Sequence, residues 1–338
     1  MSGFIQRKST ALVVLILAGV IFGGSMTGCG IIKSKLPDSI SKPPGIFIDE
    51  QEVPLANADS IFTNSTFEIP TLDAPGLLEE RTDQAFVDYS NNHDGYVTIG
   101  FLGYTDNMLR VLIVVPSGRE YIYNLTPGAS EIFPLANGNG RYIISVHEHM
   151  EGSIFVDLLS ITIDVELSDE FAPFIRPNQS IWYGKDCPVT KKALELSLES
   201  YNQLDLIKAV YNFVVENITY DFDLAESIDI GYTPDLDKVL ETGSGICLDI
   251  ATLTVAMLRS QGTPAKLVFG NLYDQNHGSI YHAWVSVFSV EDGSIDNNIH
   301  VTSGSWLILD PTTETILIAS ESGVTEGYGK VYHDLYYY

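Results

Sequence analysis

The sequence predicts two folded units, an all-β antiparallel sandwich over 84–178 followed by an α+β domain over 179–338. Three observations predict this order. Short β-branched and aromatic runs separated by turn residues fill the stretch from about 84 to 175. Apolar residues then recur at three and four after Pro188, and alternating strands return from Ala265 onward. Helices followed by an antiparallel sheet make an α+β arrangement.

The first residues precede any fold. Arg7 and Lys8 stand before an apolar run from Ala11 to Phe22, which is followed by Gly23, Gly24 and Ser25, the pattern of a secretory signal over 1–28. The run is shorter than the ~18–20 apolar residues that span a bilayer. Met26-Thr27-Gly28-Cys29 resembles a bacterial lipobox, which implies cleavage before Cys29 and lipid attachment to its thiol. A plain signal peptide or an uncleaved anchor is the alternative. The lipobox places the protein on the extracytoplasmic face of a cell membrane, held by a lipid anchor.

Residues 29–83 hold Pro37, Pro43, Pro44, Pro54, Pro70 and Pro75 with no sustained period, the composition of a tether. Strand-like runs follow at Tyr96–Phe101, Leu109–Val115, Glu120–Tyr123, Tyr142–Val146 and Ile154–Leu167. Pro116-Ser117-Gly118, Pro127-Gly128 and Asn137-Gly138-Asn139-Gly140 punctuate them, as in an immunoglobulin-like sandwich. His147 and His149 lie two apart on one strand without an evident third ligand. A polar strand end is the plainer reading, and no metal is expected.

Leu194 and Leu198, then Leu206, Ile207, Val210, Phe213 and Val214, predict two amphipathic helices ending near Asn217. Ile250, Leu253, Thr254, Met257 and Leu258 form the stripe of a third, stopped by Gly262 and Pro264. Strands are expected at Ala265–Phe269, Tyr281–Phe288 and Trp306–Leu309.

The net charge is −26, and loss of residues 1–28 removes two cations and no carboxylate, giving −28 (16 minus 44). Such a surface repels nucleic acid, and no Lys/Arg cluster offers a phosphate footprint. Beyond Cys29, two cysteines remain. A Cys187–Cys247 disulfide is open to an exported protein, but it would silence Cys247; the other reading leaves Cys187 an unpaired, partly buried thiol.

Three patches carry chemistry: Gly243-Ser244-Gly245-Ile246-Cys247, Tyr281-His282-Ala283-Trp284 and Leu309-Asp310-Pro311-Thr312. The thiolate is the reactive form of cysteine, and free N–H groups at a helix N-terminus favour negative charge there. The same groups offer donors to an oxyanion. His282, on a strand whose Ala283, Val285 and Val287 face the core, is placed to pair with the thiol and protonate a leaving amine. Asp310 at a strand end is placed to orient the imidazole.

The order Cys, His, Asp, with separations of 35 residues (282 minus 247) and 28 residues (310 minus 282), resembles the transglutaminase-like superfamily of the papain-type fold. The resemblance runs from about Leu206 to Thr313. It includes Ile218-Thr219-Tyr220-Asp221, the approach from Tyr232-Thr233-Pro234 to Val239-Leu240, and Ala256 to Lys266. Lys266 stands where the family usually has Arg, and Ser286 where an acid is common. The resemblance implies a cysteine acyltransferase or peptidase that needs no cofactor, acting on protein or peptide substrates through Cys247, His282 and Asp310. It also implies an oxyanion donor upstream, for which Tyr220 is the candidate, against a plain packing tyrosine. The acceptor, water or amine, stays open, as do the oligomeric state and calcium dependence. The acidic loop residues Glu291, Asp292 and Asp296 are read as solvated charge rather than a cation site. The rival from another class is a noncatalytic surface binding or assembly lipoprotein that retains the fold.

Overall fold

The computed structural model describes residues 67–229, 231–274, 278–295, 299–319 and 331–338. The predicted signal, the lipobox with Cys29, most of the tether, and Asp296 lie outside the described residues. Eight strands come first: β1 (Glu79–Arg81), β2 (Ala85–Asp88), β3 (Tyr96–Phe101), β4 (Leu109–Val114), β5 (Glu120–Leu125), β6 (Ser130–Pro134), β7 (Gly140–Glu151) and β8 (Ile154–Val165). They form two four-stranded antiparallel sheets, ordered β1-β2-β3-β6 and β5-β4-β7-β8. In β4 burial alternates strictly, so Leu109, Val111 and Ile113 point inward. They share one buried cluster with Val97, Ile99 and Phe133 of the other sheet, each side chain worth ~1.5–3 kcal/mol once removed from water.

The second unit begins with α1 (Pro188–Leu198), whose Pro188 takes the first helical position, where its missing N–H costs nothing. In α2 (Gln203–Asn217) the Asn202 side chain caps the first turn, accepting from Asp205 N–H at 2.8 Å. Short elements follow: β9 (Thr219–Tyr220), α3 (Phe222–Ser227), α4 (Leu236–Thr242) and β10 (Ser244–Gly245). Every residue of α5 (Cys247–Arg259) is buried. Arg259 at its end gives its guanidinium to three main-chain oxygens, of Ala265 (2.7 Å), Arg176 (3.0 Å) and Tyr338 (2.6 Å).

The remaining elements are β11 (Ala265–Asp274), β12 (Gly278–Ser289), β13 (Gly293–Ser294), β14 (His300–Val301), β15 (Ser305–Leu309), α6 (Pro311–Ala319) and β16 (Val331–Tyr337). The main sheet is ordered β15-β12-β11-β16 and is antiparallel throughout. Ala265, Leu267, Ala283, Val285 and Val287 join α5 in its core, so Ala283, Val285 and Val287 do face inward. Helix α6 and strand β16 have no counterpart among the elements the sequence predicts. Among the described residues no helix is long and apolar enough to cross a membrane.

The two units are in contact. Tyr121 of β5 meets Tyr336 and Tyr338 edge-on, with ring centroids 5.2 and 5.4 Å apart, a geometry that aromatic quadrupoles favour. Arg119 donates to the Leu335 carbonyl across the same seam.

Candidate active site

The turn that delivers Cys247 is built by two glycines. Gly243 ends α4 in the left-handed region (φ 63°), donating its N–H to Val239 O at 2.9 Å. At Gly245 a Cβ would come within 2.7 Å of Asp249 Cβ, so only glycine lets the chain pass. Between them β10 pairs in parallel with β9, Thr219 opposite Ser244 and Tyr220 opposite Gly245. This two-residue ladder brings Tyr220 beside Cys247, the first residue of α5.

Asp249 holds that turn from beneath. Its side chain is fully buried; Oδ2 accepts from Ile246 N–H at 2.8 Å and Oδ1 accepts from the Tyr232 hydroxyl at 2.9 Å. One free helix N-terminal N–H is thereby satisfied. Burial raises the Asp249 carboxyl above its ordinary value despite those two donors. Neither Asp249 nor Tyr232 stands out as a site residue in the sequence, because an acid in a first helical turn usually faces solvent.

Strand β12 carries His282, paired with Gly270 of β11, and β15 delivers Asp310 just past Leu309, which pairs with Val285. His282 Nε2 lies 3.0 Å from Asp310 Oδ2, with the side chains 5% and 6% exposed. The Cys247 thiol lies against the same imidazole, close enough to act on its charge. Burial alone would push the imidazole down, but the Asp310 charge, its hydrogen bond and the Cys247 contact raise it well above the ordinary value. For Asp310 the balance is mirrored. Burial pushes the carboxyl up, and His282, Thr313 and Tyr332 together bring it below the usual carboxylate range.

Asp310 is fixed by more than the imidazole. Thr313 Oγ1 donates to Oδ2 at 2.7 Å, the Tyr332 hydroxyl donates to Oδ2 at 2.9 Å, and Thr313 N–H donates to Oδ1 at 3.3 Å. The last bond makes Asp310 the N-cap of α6, with Pro311 as first helical residue. The Asp-Pro-Thr patch therefore ends a strand and starts a helix. Tyr332 is held edge-on against Trp284 (5.0 Å), which in turn lies 6.1 Å from the His282 ring.

The structure thus brings Cys247, His282 and Asp310 together and sets Tyr220 against them. The Tyr220 hydroxyl receives the Cys247 backbone N–H, and the ring is 4% exposed. Burial, then the nearby Cys247 and acidic groups, raise the phenol far above its ordinary value, keeping it protonated. Cys187 and Cys247 are both unpaired thiols, and Cys187 is half-buried at the start of α1. His149 Nε2 lies 2.8 Å from Gly152 O in the β7–β8 hairpin. Among the described residues no group of three His, Cys, Asp or Glu side chains is placed to hold a metal. Glu291 and Asp292 accept from Leu204 N–H (2.8 Å) and Ser303 N–H (2.9 Å). Lys266 places its ammonium 3.7 Å from the Trp306 ring centroid, flanked by Phe174 and Tyr337, and burial lowers it to about 8.

The transglutaminase-like superfamily model matches residues 191–311. The UPF0252 protein MJ1282 of Methanocaldococcus jannaschii is 31% identical over 143 residues, covering 40% of this chain and 38% of that protein. The uncharacterized protein YebA of Bacillus subtilis is 29% identical over 137 residues, covering 36% of this chain and 17% of that protein. The chain therefore spans well under half the length of either relative. The crystal structure of the periplasmic domain of TgpA from Pseudomonas aeruginosa bound to ethylmercury is similar over 67% of this chain and 91% of that one, at 15% identity and a TM-score of 0.31. The matched segment, residues 191–311, is a transglutaminase-like domain, and it encloses Cys247, His282 and Asp310.

Proposed function

We propose that this protein is a cysteine enzyme that forms a thioester acyl-enzyme on amide bonds of proteins or peptides. The observation that carries it is the placement of His282 between Asp310, 3.0 Å from Nε2, and the Cys247 thiol. Cys247 Sγ attacks the amide carbonyl carbon with its proton already held by His282 as the imidazolium. Asp310 keeps that imidazolium oriented. The oxyanion is met by the Tyr220 hydroxyl, which burial keeps protonated as a donor. Collapse breaks the C–N bond, and His282 returns the proton to the leaving amine or ammonia. Water or a second amine then attacks the thioester, giving its proton to His282, and the thiolate is regenerated.

The setting is proposed with the chemistry. Arg7, Lys8, the apolar run and Met26-Thr27-Gly28-Cys29 support export, cleavage and lipidation at Cys29, leaving the enzyme tethered on the extracytoplasmic face. The two-sheet unit up to about residue 178 is read as an immunoglobulin-like module, and the remainder as the catalytic domain.

Incubating the purified protein with glutamine-containing peptides, with and without a primary amine, tests the reading by mass spectrometry. Deamidation, cleavage or amine addition, each lost in Cys247→Ala, is the expected outcome. A protein that changes no peptide in any of the three ways contradicts it.

A further inference from the structure

A cavity of about 340 Å³ lies between the two units, within the ~300–1,000 Å³ range of sites that enclose a small ligand or a short peptide segment. One wall is Tyr123 and Asn124 of β5 with Glu131 of β6; the facing wall is Leu248, Phe269 and Tyr281. Leu248 directly follows Cys247, and Tyr281 directly precedes His282. The Tyr281 hydroxyl is pushed up by burial, then by Tyr336 and by Cys247, which places it within electrostatic range of the thiol. The cavity therefore adjoins the nucleophile, yet half of its lining comes from outside the matched segment.

Its chemistry is selective. Aromatic rings dominate the floor, and among the described residues no Lys, Arg or His lines it. Among the described lining residues Glu131 is the one ionisable group apart from tyrosines. That carboxylate is held in place on the rim: Oε1 accepts from Thr126 N–H at 2.8 Å and Oε2 from the Gln179 amide, which also donates to Asn124 O at 2.5 Å. Both partners are neutral, so the negative charge keeps an attraction for a cation. Tyr232 also lines the cavity, and its hydroxyl bonds Asp249, the carboxylate that holds the turn before Cys247.

Resting on the enzyme reading above, we propose that this cavity is the recognition subsite for the peptide flanking the attacked amide. It takes a large apolar or aromatic side chain with a cationic neighbour at Glu131. The β-sheet unit is then part of the substrate site rather than only a spacer.

The test measures binding separately from chemistry. In full-length Cys247→Ala protein, anisotropy is recorded with two fluorescein-labelled, amidated peptides, Gly-Gln-Phe-Lys-Gly and Gly-Gln-Phe-Glu-Gly. The lysine peptide is expected to bind about tenfold tighter, the scale of one charge-assisted hydrogen bond. Adding Glu131→Gln should bring the two affinities to within about threefold, the neutral amide having lost the charge. Filling the cavity with Ser180→Trp should weaken both peptides; if that variant does not fold, Glu131→Gln carries the test alone. Equal affinity for both peptides, a preference untouched by Glu131→Gln, or no binding of either peptide overturns the proposal. Alkylation of Cys247 in the otherwise unchanged protein separates the two ideas. An unreactive thiol with charge-dependent binding defeats the enzyme reading, and a reactive thiol with charge-blind binding defeats the subsite.

Discussion

His282 Nε2 and Asp310 Oδ2 stand 3.0 Å apart in a region from which both side chains are almost wholly excluded from water. Desolvation disfavours both charges, so the pair persists because each supplies the other's counter-charge and because Thr313 and Tyr332 add donors to the carboxylate.

The first prediction is the pH dependence of that pair. His282 is raised, so its contribution to stability is complete below the unfolded value of ~6.5 and is lost as pH rises through the folded value. Asp310 is lowered, so its contribution is complete above the unfolded value of ~3.9 and is lost as pH falls through the folded value. The pair therefore stabilises most between about pH 4 and 6.5. Asp310→Asn should cost about 3 kcal/mol in that window. Thermal melts across pH should show the gap between the variant and the parent narrowing toward alkaline pH; a gap independent of pH counts against an ionised pair.

Tyr332→Phe removes one buried donor to the carboxylate and leaves the ring against Trp284. A loss of about 1.5–3 kcal/mol is expected, the range for a hydrogen bond to a charged group. Denaturant unfolding measures it. An unchanged midpoint would mean the hydroxyl contributes nothing to holding Asp310.

Asp249→Ala should destabilise by about 1–3 kcal/mol by leaving the Ile246 N–H and the Tyr232 hydroxyl without their acceptor. Because that turn presents Cys247, the alkylation rate of the thiol should fall as well. A variant with lowered stability and an unaltered alkylation rate would separate the turn from the chemistry.

Gly270 is paired with His282 at a register shift in β11, and a Cβ there would lie 2.0 Å from His333 O and 2.6 Å from Trp284 Cη2. Gly270→Ala should cost more than about 3 kcal/mol or prevent folding, since backbone rather than a flexible side chain must give way. A soluble variant with the parent's melting temperature would contradict this packing.

Cys247, His282 and Asp310 are legible in the sequence because each sits in a local pattern whose cause is local. Glycines precede the helix that starts at Cys247, alternation marks the strand of His282, and Pro311 marks the end of the strand before Asp310. Pro311 signals more than a stop, since proline at a first helical position with Glu314 in the first turn also marks the start of α6. Tyr332 is not legible at all. Its contact with Asp310 exists only because β16 pairs with β11 from the far end of the chain. Asp249 has the sequence appearance of a solvated helix acid, and only the close passage of Gly245 and the reach of Tyr232 put it under Cys247. Lys266 shows the same limit: its three-ring cage draws Phe174, Trp306 and Tyr337 from separate segments.

The most direct measurement is the rate at which iodoacetamide alkylates Cys247 near neutral pH, with the labelled residue located by peptide mapping so that Cys187 is counted separately. A catalytic Cys247 should react faster than a free model thiol, and His282→Ala should slow it about tenfold or more. A Cys247 that reacts no faster than the model thiol, with a rate indifferent to His282→Ala, would contradict the assignment of this site.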